Sequence, residues 1–557
     1  MAAQAREWDF RMLCTAIFFV VCGRISLIAD HESVTRISKG RDSSHMDHTR
    51  APLYERMLEH LSLQSTSFHV PGHKSGRGLD PIAIDVLEAV MSIDYTELTG
   101  LDDLHQPEGV IREAEQLAAD CFGADHSFLL VGGSTAGNLA TILSMCQQGH
   151  DDLFIVQRNV HKSIIHGLML ARARVVFLAP QVDASTGIAA GVLCSDVEEA
   201  LRQYPNAVGV LLSNPNYYGM GIHLQAIIDC VHATGKPVLV DEAHGAHYGF
   251  HPAIPQSALS AGADAVVQST HKMLTAMTMG AMLHLQGSRL NPQLVRQHLS
   301  IVQSSSPSYP ILASLDLSRR QLRIQGHSLL NQALEAVKYL HQGLTKMPWY
   351  QLVGQTSPAQ ELKSMQAAPL TRGFTTMDPL KLTVGDRTGT LTGFELQRQL
   401  EKHRCYPEMA DPHYAVLAFS LVTSLQDIDR LLQALLSISS EFGLDKQALT
   451  ETTRLIASLG YPPLSEPIAF SPYNNLGNLG NLGRGIHADL DQRCLELPIE
   501  EAIGFVARQA IIPYPPGVPI LFPGERVSEG AVAQLRQWIE SGARIHGLTV
   551  HGNIPIF

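Results

Sequence analysis

A lysine that follows a β-strand inside a ring of hydroxyls and imidazole is a candidate nucleophile, and Ser269-Thr270-His271-Lys272 has that form. The run before it, Ala265–Gln268, is short and apolar, and Met273 and Leu274 follow it, which does not describe a solvated surface lysine. Desolvation and nearby cations lower the pKa of an amine and free it to form a Schiff base. Asp241 closes an earlier apolar run, Pro237–Val240, where an acid serves a core poorly and a ligand well. Ala243 and Gly245 beyond it are small, as if something flat lay above them. Gly132-Gly133-Ser134-Thr135 joins the strand-like Ser127–Val131 to an apolar helical stretch, Ala136–Met145. Backbone N–H groups at a helix start, with two hydroxyls, suit a phosphate dianion.

Each feature alone has an ordinary structural reading: a βα turn with its cap, a capping acid, a loop lysine. Together they supply what pyridoxal phosphate requires, namely a cradle for the phosphate, an acid for the pyridine nitrogen and an amine for the aldehyde. His161, in Arg158–Ser163 after the strand-like Leu153–Val156, is placed to lie flat on the cofactor ring. Neither G-x-x-x-x-G-K-[ST] nor G-x-G-x-x-G occurs at the Gly-Gly turn, so a nucleotide is not favoured.

The elements that must position these residues alternate. Apolar runs at Val175–Leu178, Val208–Leu212, Pro237–Val240 and Ala265–Gln268 are separated by helical stretches. Strands that are apolar on both faces and alternate with helices predict an α/β fold, a large and mostly parallel sheet with helices on both sides. Ligands then sit at the carboxyl ends of strands. Residues 311–345 carry leucines at helical period, which predicts one long helix or two. A smaller α/β region follows, with strand-like Leu380–Val384 and Tyr414–Ser420. The repeat Asn474-Asn-Leu-Gly-Asn-Leu-Gly-Asn-Leu-Gly483 is low in complexity and is expected as a surface loop. The expected division is 1–45 as a leader or mis-called start without fixed structure, 46–100 as an N-terminal segment, 101–345 as the cofactor-binding large domain and 346–557 as the smaller C-terminal part.

The 557 residues are 45% hydrophobic and 17% charged, which excludes a disordered chain, a collagen-like chain and a small disulfide scaffold. A net charge of −12 argues against a nucleic-acid partner held by phosphate neutralisation. The eight cysteines form no C-x-x-C, and the 26 histidines show no H-E-x-x-H, so no metal is expected and a reduced, cytoplasmic setting is. The apolar stretch Leu13–Cys22 is too short to span a bilayer, which takes about 20 residues. It has the size of a signal-peptide core, but Met46, just before the first helical pattern (Leu53, Met57, Leu61), favours a mis-called start.

With these residues in view the chain resembles the short form of the ornithine/lysine/arginine decarboxylases, enzymes of the aminotransferase-like pyridoxal phosphate fold type I. The resemblance runs from about Pro52 to Phe557. It is carried by Phe68–Lys74, Thr96–Asp103, Arg158–Ser163, Ser269–Lys272, Ser305–Tyr309 and Pro513–Pro519 with Pro523-Gly524-Glu525. It implies Lys272 as the Schiff-base lysine, Asp241 against the pyridinium and His161 stacked on the ring. It implies Ser134, Thr135, Ser269 and His271 at the phosphate, and His244 near the ring hydroxyl or the substrate. Ala243 lies under the ring in this reading. The Ser305–Tyr309 segment would reach the neighbouring subunit's cofactor, so a homodimer or larger homo-oligomer shares its sites. Glu525 would face the distal cation of the substrate. Asn216 stands where the family commonly has threonine.

The implied reaction is α-decarboxylation of a basic amino acid, with Lys272 or His244 returning the proton. Transamination, aldol cleavage and β-elimination remain the alternatives on the same fold, since the cofactor motifs do not choose which bond at Cα breaks. A non-catalytic cofactor-binding regulator is disfavoured by the presence of both Lys272 and Asp241. A membrane-anchored protein using residues 13–22 is a further alternative, and no membrane partner is expected.

Overall fold

The computed structural model describes residues 46–146, 152–354, 373–449, 463–470 and 495–557. The expectations for residues 1–45 and for the triplets at 474–483 lie outside the described residues.

The first helical pattern becomes α1 (Pro52–Ser62), with proline at its start and Leu53 and Met57 buried. The short α2 (Ile84–Met91) buries none of its side chains. The helix α3 (Val110–Phe122) has Gly109 at its N-cap, which offers no capping oxygen. Asp102 supplies it from outside: its carboxylate accepts from the N–H groups of Glu108, Gly109 and Ile111 at 2.9, 2.7 and 3.0 Å. That gives the Thr96–Asp103 motif a structural role.

The large sheet contains β1 (His126–Leu130), β2 (Leu153–Gln157), β3 (Arg174–Leu178), β4 (Gly209–Ser213), β5 (Val238–Asp241), β6 (Ala265–Gln268) and β7 (Ala281–Leu285). Strands β2 to β6 pair in parallel. Strand β7 lies between β1 and β6 and runs against both. Its sequence, Ala-Met-Leu-His-Leu, breaks an apolar run with a buried histidine, which obscures it; His284 is bonded to Ser127 Oγ at 2.7 Å. Alternate residues face opposite sides, as both-face burial requires. Phe154, Val156 and Val267 pack under α4 (Gly133–Met145), α5 (Lys162–Ala171) and, nearer the β7 edge, α8 (Pro292–Val302). Ile155, Val210 and Val266 pack under α6 (Cys194–Gln203) and α7 (Gln225–Ala233).

The leucine pattern after residue 309 is one helix, α9 (Tyr309–Leu344), of 36 residues. Its first turns pack with α1 and α3 (Leu312, Leu315), and its later turns (Leu330, Val337, Leu340) join a second core. That core lies on an antiparallel sheet of β8 (Tyr350–Leu352), β9 (Lys381–Asp386), β10 (Met409–Ala410) and β11 (Tyr414–Ala418), ordered β10-β11-β9-β8. Helices α10 (Gly393–Lys402) and α11 (Leu425–Phe442) cover it. A short β12 (Ile468–Ala469) adds an antiparallel edge beside β3. The last segment holds α12 (Glu529–Glu540) over its own small core, which includes Ile511, Leu521 and Leu535. Among the described residues no helix is long and apolar enough to cross a membrane.

Candidate active site

Register brings the chemistry to one level. Asp241 is the last residue of β5 and lies opposite Ser213 of β4 and Val267 of β6. After β6 the chain makes a single helical turn, Thr270–Met273, which places Lys272 beside the same strand ends. Ser134, His161, Asp241, Ala243, His244 and Lys272 line one cleft of about 300 Å³ counted to its open mouth. Ser213, Pro215 and Tyr217, which the sequence did not single out, complete the lining.

Asp241 is almost fully buried. One carboxylate oxygen accepts from the Ala243 N–H at 3.2 Å and the other from Asn138 Nδ2 at 3.2 Å. The same Asn138 amide donates to Ser163 Oγ at 3.0 Å, tying α4 and α5 to the acid. Burial pushes the Asp241 pKa up, opposed by Lys272 and those two hydrogen bonds. A carboxylate in that position gains most from a fixed cation in the cleft.

His161 is the N-cap of α5. Its Nδ1 accepts from the Ser163 N–H at 3.2 Å, which leaves the ring proton on Nε2. Burial first, then Lys272, Lys162 and His166, lower its pKa to about 3, so the ring is neutral. Its far edge meets the C-terminal segment. Lys162 N donates to the Gly517 carbonyl at 3.1 Å, and the Lys162 ammonium lies 4.2 Å from the Tyr514 ring centre. Gly517 has φ +86°, and a Cβ there would sit 3.3 Å from the imidazole, so glycine is what fits.

His244 is bonded at both ring nitrogens. Lys272 Nζ is 3.1 Å from Nε2, and Lys381 Nζ, from β9, is 3.1 Å from Nδ1. Burial and the two lysines hold its pKa well below the ordinary histidine range. Burial likewise lowers Lys272, against Asp241 and Glu408, which favour its charge. Tyr217 tilts over His244 with ring centres 4.7 Å apart.

At the Gly-Gly turn α4 begins at Gly133 with no side-chain cap on its first N–H groups. Gln303 Oε1 accepts from the N–H groups of Val131 and Gly132 at 2.8 and 3.2 Å and holds the turn in place. Ser269 Oγ donates to Ser134 Oγ at 2.8 Å, bringing two of the expected phosphate contacts together. Thr135 is exposed, and the His271 ring bonds the Gly280 carbonyl at 3.0 Å.

Of the expected residues, Thr135, Ser269, His271, Ser305 and Glu525 do not line this cleft, although Ser269 reaches it through Ser134. Ser305 is exposed, two residues past Gln303. Glu525 pairs with Arg158 at 2.7 Å, and the Arg158 guanidinium lies against the stacked Phe177 and Phe522 rings, 5.5 and 4.7 Å from their centres. The acid beside Asp241 is also structural: Glu242 accepts from Ser257, Ala258 and Gln268 at 2.7–2.8 Å. Spacing also gave no hint that Cys194, Glu198 and Cys230 meet between α6 and α7, their donor atoms all within 4.8 Å of one another.

The residues fit pyridoxal phosphate. A helix start without a side-chain cap and two hydroxyls suit an anion, a neutral imidazole lines the cleft wall, and a buried carboxylate would be neutralised by a protonated ring nitrogen. An open α/β sheet with that set at its strand ends brings an amine, a buried acid and two imidazoles together where such a fold places its chemistry. Residues 51–427 match the Orn/Lys/Arg decarboxylase major domain, and residues 486–551 match the C-terminal domain of the same family. The chain belongs to the Orn/Lys/Arg decarboxylase family and is an amino-acid decarboxylase. It is 38% identical to the Bacillus subtilis protein YaaO over 89% of this chain and 96% of that one. It is 32% identical to the arginine decarboxylase of Bacillus subtilis, over 90% of this chain and 96% of that protein. The lysine decarboxylase of Francisella novicida has the same fold, with a TM-score of 0.73 at 20% identity over 91% of this chain and 80% of that one.

Proposed function

We propose that the chain binds pyridoxal phosphate and removes the α-carboxylate of arginine, yielding agmatine and carbon dioxide. The observation that carries the reading is the cleft that joins Lys272, Asp241, His161 and the uncapped start of α4. Arginine is favoured over lysine because relatives named arginine decarboxylase are 30–32% identical over 94–97% of their length. Those named lysine decarboxylase are 23–24% identical over 74–79% of theirs.

When bound, the cofactor supplies an electron sink for the carbanion left at Cα. Lys272 and Asp241 would hold it at aldehyde and ring nitrogen, and Ser134 and Ser269 would orient its phosphate. His161 and Ala243 bound the cleft, and Asn138 keeps Asp241 aimed. Lys272 Nζ and His244 Nε2, hydrogen-bonded to each other, carry the proton that Cα takes when the carboxylate leaves. Glu525 has no part in this scheme, because Arg158 already neutralises it.

The test is one incubation with added cofactor and equal L-arginine, L-lysine and L-ornithine, the amines being quantified by mass spectrometry. Agmatine is expected to dominate. Cadaverine or putrescine in its place overturns the choice of arginine, and a yellow protein that forms no amine overturns the reaction.

We also propose that the enzyme is a homodimer that uses its N-terminal arm. Around α2 the side chains of Phe68, Ile82 and Val86 are 93%, 92% and 77% exposed, and Val70, Leu87 and Val90 add to the same apolar segment. Apolar surface of that extent in one stretch marks a contact, and a second copy also gives the exposed Ser305 segment a site to complete. The paired substitution Ile82→Glu and Val86→Glu is expected to yield monomers in light scattering, with activity lost alongside. A doubly substituted protein that stays dimeric rejects this interface.

A further inference from the structure

Helix α6 begins at Cys194, and Glu198 stands four residues on, a spacing that puts both side chains on one face. The neighbouring α7 brings Cys230 to the same face. The two sulfurs and a carboxylate oxygen all lie within 4.8 Å of one another, and Cys194 Sγ is 3.7 Å from Glu198 Oε1. Both cysteines are half-buried over the core that joins the two helices through Val197, Leu201, Ile227 and Val231. Glu198 is exposed, so the trio opens to solvent. The acids beside it are engaged elsewhere: Glu199 pairs with Arg202 at 2.5 Å, and Asp229 accepts from Gln225 at 2.9 Å. Among the described residues the Glu198 carboxylate has no cation for a partner and meets the Cys194 thiol instead.

Two sulfurs and a carboxylate at these distances form three corners of a tetrahedron. Zinc takes thiolate sulfur at about 2.3 Å and carboxylate oxygen at about 2.0–2.2 Å. A tetrahedral ion with those bonds sets sulfur and oxygen about 3.5–3.6 Å apart and the two sulfurs about 3.8 Å apart. The 3.7 Å between Cys194 and Glu198 is already close to that edge. Paired thiolates select zinc over magnesium and calcium, which take oxygen donors. A disulfide between the two cysteines would use neither the acid nor its approach to Cys194. Burial, Glu198 and Cys230 push the Cys194 pKa up to about 11, so the free protein carries a thiol there. On binding, each cysteine gives its proton to solvent as its sulfur takes the metal, Glu198 joins as a carboxylate, and no atom changes oxidation state.

We propose that Cys194, Glu198 and Cys230 bind one zinc ion, with water in the fourth position, and that the ion clamps α6 to α7. None of the three lines the cofactor cleft, and the site stands whatever reaction that cleft performs. Its effect reaches the sheet. Helix α6 precedes β4 and α7 precedes β5, and the ends of those strands carry Ser213 and Asp241 side by side. Zinc ties together the two helices that lead into that pair, and because the unfolded chain does not present the trio, bound metal stabilises the folded state by mass action.

The test uses reduced full-length protein, stripped of metal with a chelator and kept from oxygen. Cobalt(II), which accepts the same tetrahedral thiolate geometry and is coloured in it, is titrated in and then displaced by zinc. One cobalt per chain is expected, with a thiolate charge-transfer band and the strong visible bands of a tetrahedral ion. Zinc is expected to shield Cys194 and Cys230 from iodoacetamide, read by mass spectrometry, and to raise the melting temperature. Cys194→Ser and Cys230→Ser should each weaken zinc binding by more than about a hundredfold, beyond the loss that a merely supporting residue causes. Glu198→Gln should weaken it by about tenfold or more, at an exposed position that leaves the fold in place. Cys405→Ser, on a different element, should titrate like the parent. A parent that shows no cobalt band, or a band that survives in both cysteine variants, overturns the proposal. So does a Cys194–Cys230 disulfide formed by hydrogen peroxide in a protein that takes up no metal. Zinc that binds without raising the melting temperature overturns the clamp.

Discussion

Lys272→Ala is expected to abolish turnover. The side chain is asked to hold the cofactor and to share the proton that Cα receives, and losing a proton-transferring group alone costs about 10²–10⁴-fold. The substitution leaves the surroundings largely intact, because among the described residues Lys272 Nζ makes its hydrogen bond to His244, which keeps Lys381 on its other nitrogen. Melting temperature near that of the parent, with amine production below detection, is the expected pair of results. A variant that retains a tenth of the parent rate would show that another amine does this work.

Asp241→Asn is expected to have the next largest effect. The amide is nearly the same shape and can still accept from Ala243 N–H, but it faces the Asn138 amide with a donor or a reversed group, and it carries no charge. Removing one partner of a buried charge pair costs about 3–5 kcal/mol. At 1.36 kcal/mol per decade that is a fall of about two to four decades in kcat. Cofactor release should also quicken, which dialysis followed by absorbance measures. A variant within tenfold of the parent, with normal cofactor retention, would mean that no charge is needed at the ring nitrogen. The free protein without cofactor should be barely destabilised, since burial already disfavours the Asp241 anion.

The strand ends were legible because their chemistry interrupts a simple pattern. Val238–Asp241 and Ala265–Gln268 are apolar runs broken by polar residues where a parallel sheet places ligands, so Asp241 and Lys272 stood out. The cradle was legible as a Gly-Gly turn between a strand and a helix, although its helix starts at Gly133, before the apolar pattern does. Strand β7 was not legible, because His284 breaks its run and only the Ser127 hydroxyl across the sheet explains why histidine is accepted there. Asn138 looked like an interior helix residue. Its function depends on Ser163 and Asp241 meeting it from two other elements, which spacing cannot express. Lys381 sat in the strand-like run Leu380–Val384, where period-two alternation gives it a face but not a partner. The resemblance brought Glu525 forward, and no local signal revealed that Arg158 occupies it.

The contact between Gly517 and His161 has a consequence for how the enzyme comes into being. A ribosome finishes the large sheet, with its lysine and acid, long before it reaches the segment whose glycine closes the wall against His161. A nascent chain therefore carries the reactive amine without the completed enclosure, and only the finished polypeptide can dock its tail there. Capture of the proposed cofactor in a settled geometry would then be expected only after synthesis is complete. Clipping within Pro513–Pro519 would return a mature molecule to that unfinished condition.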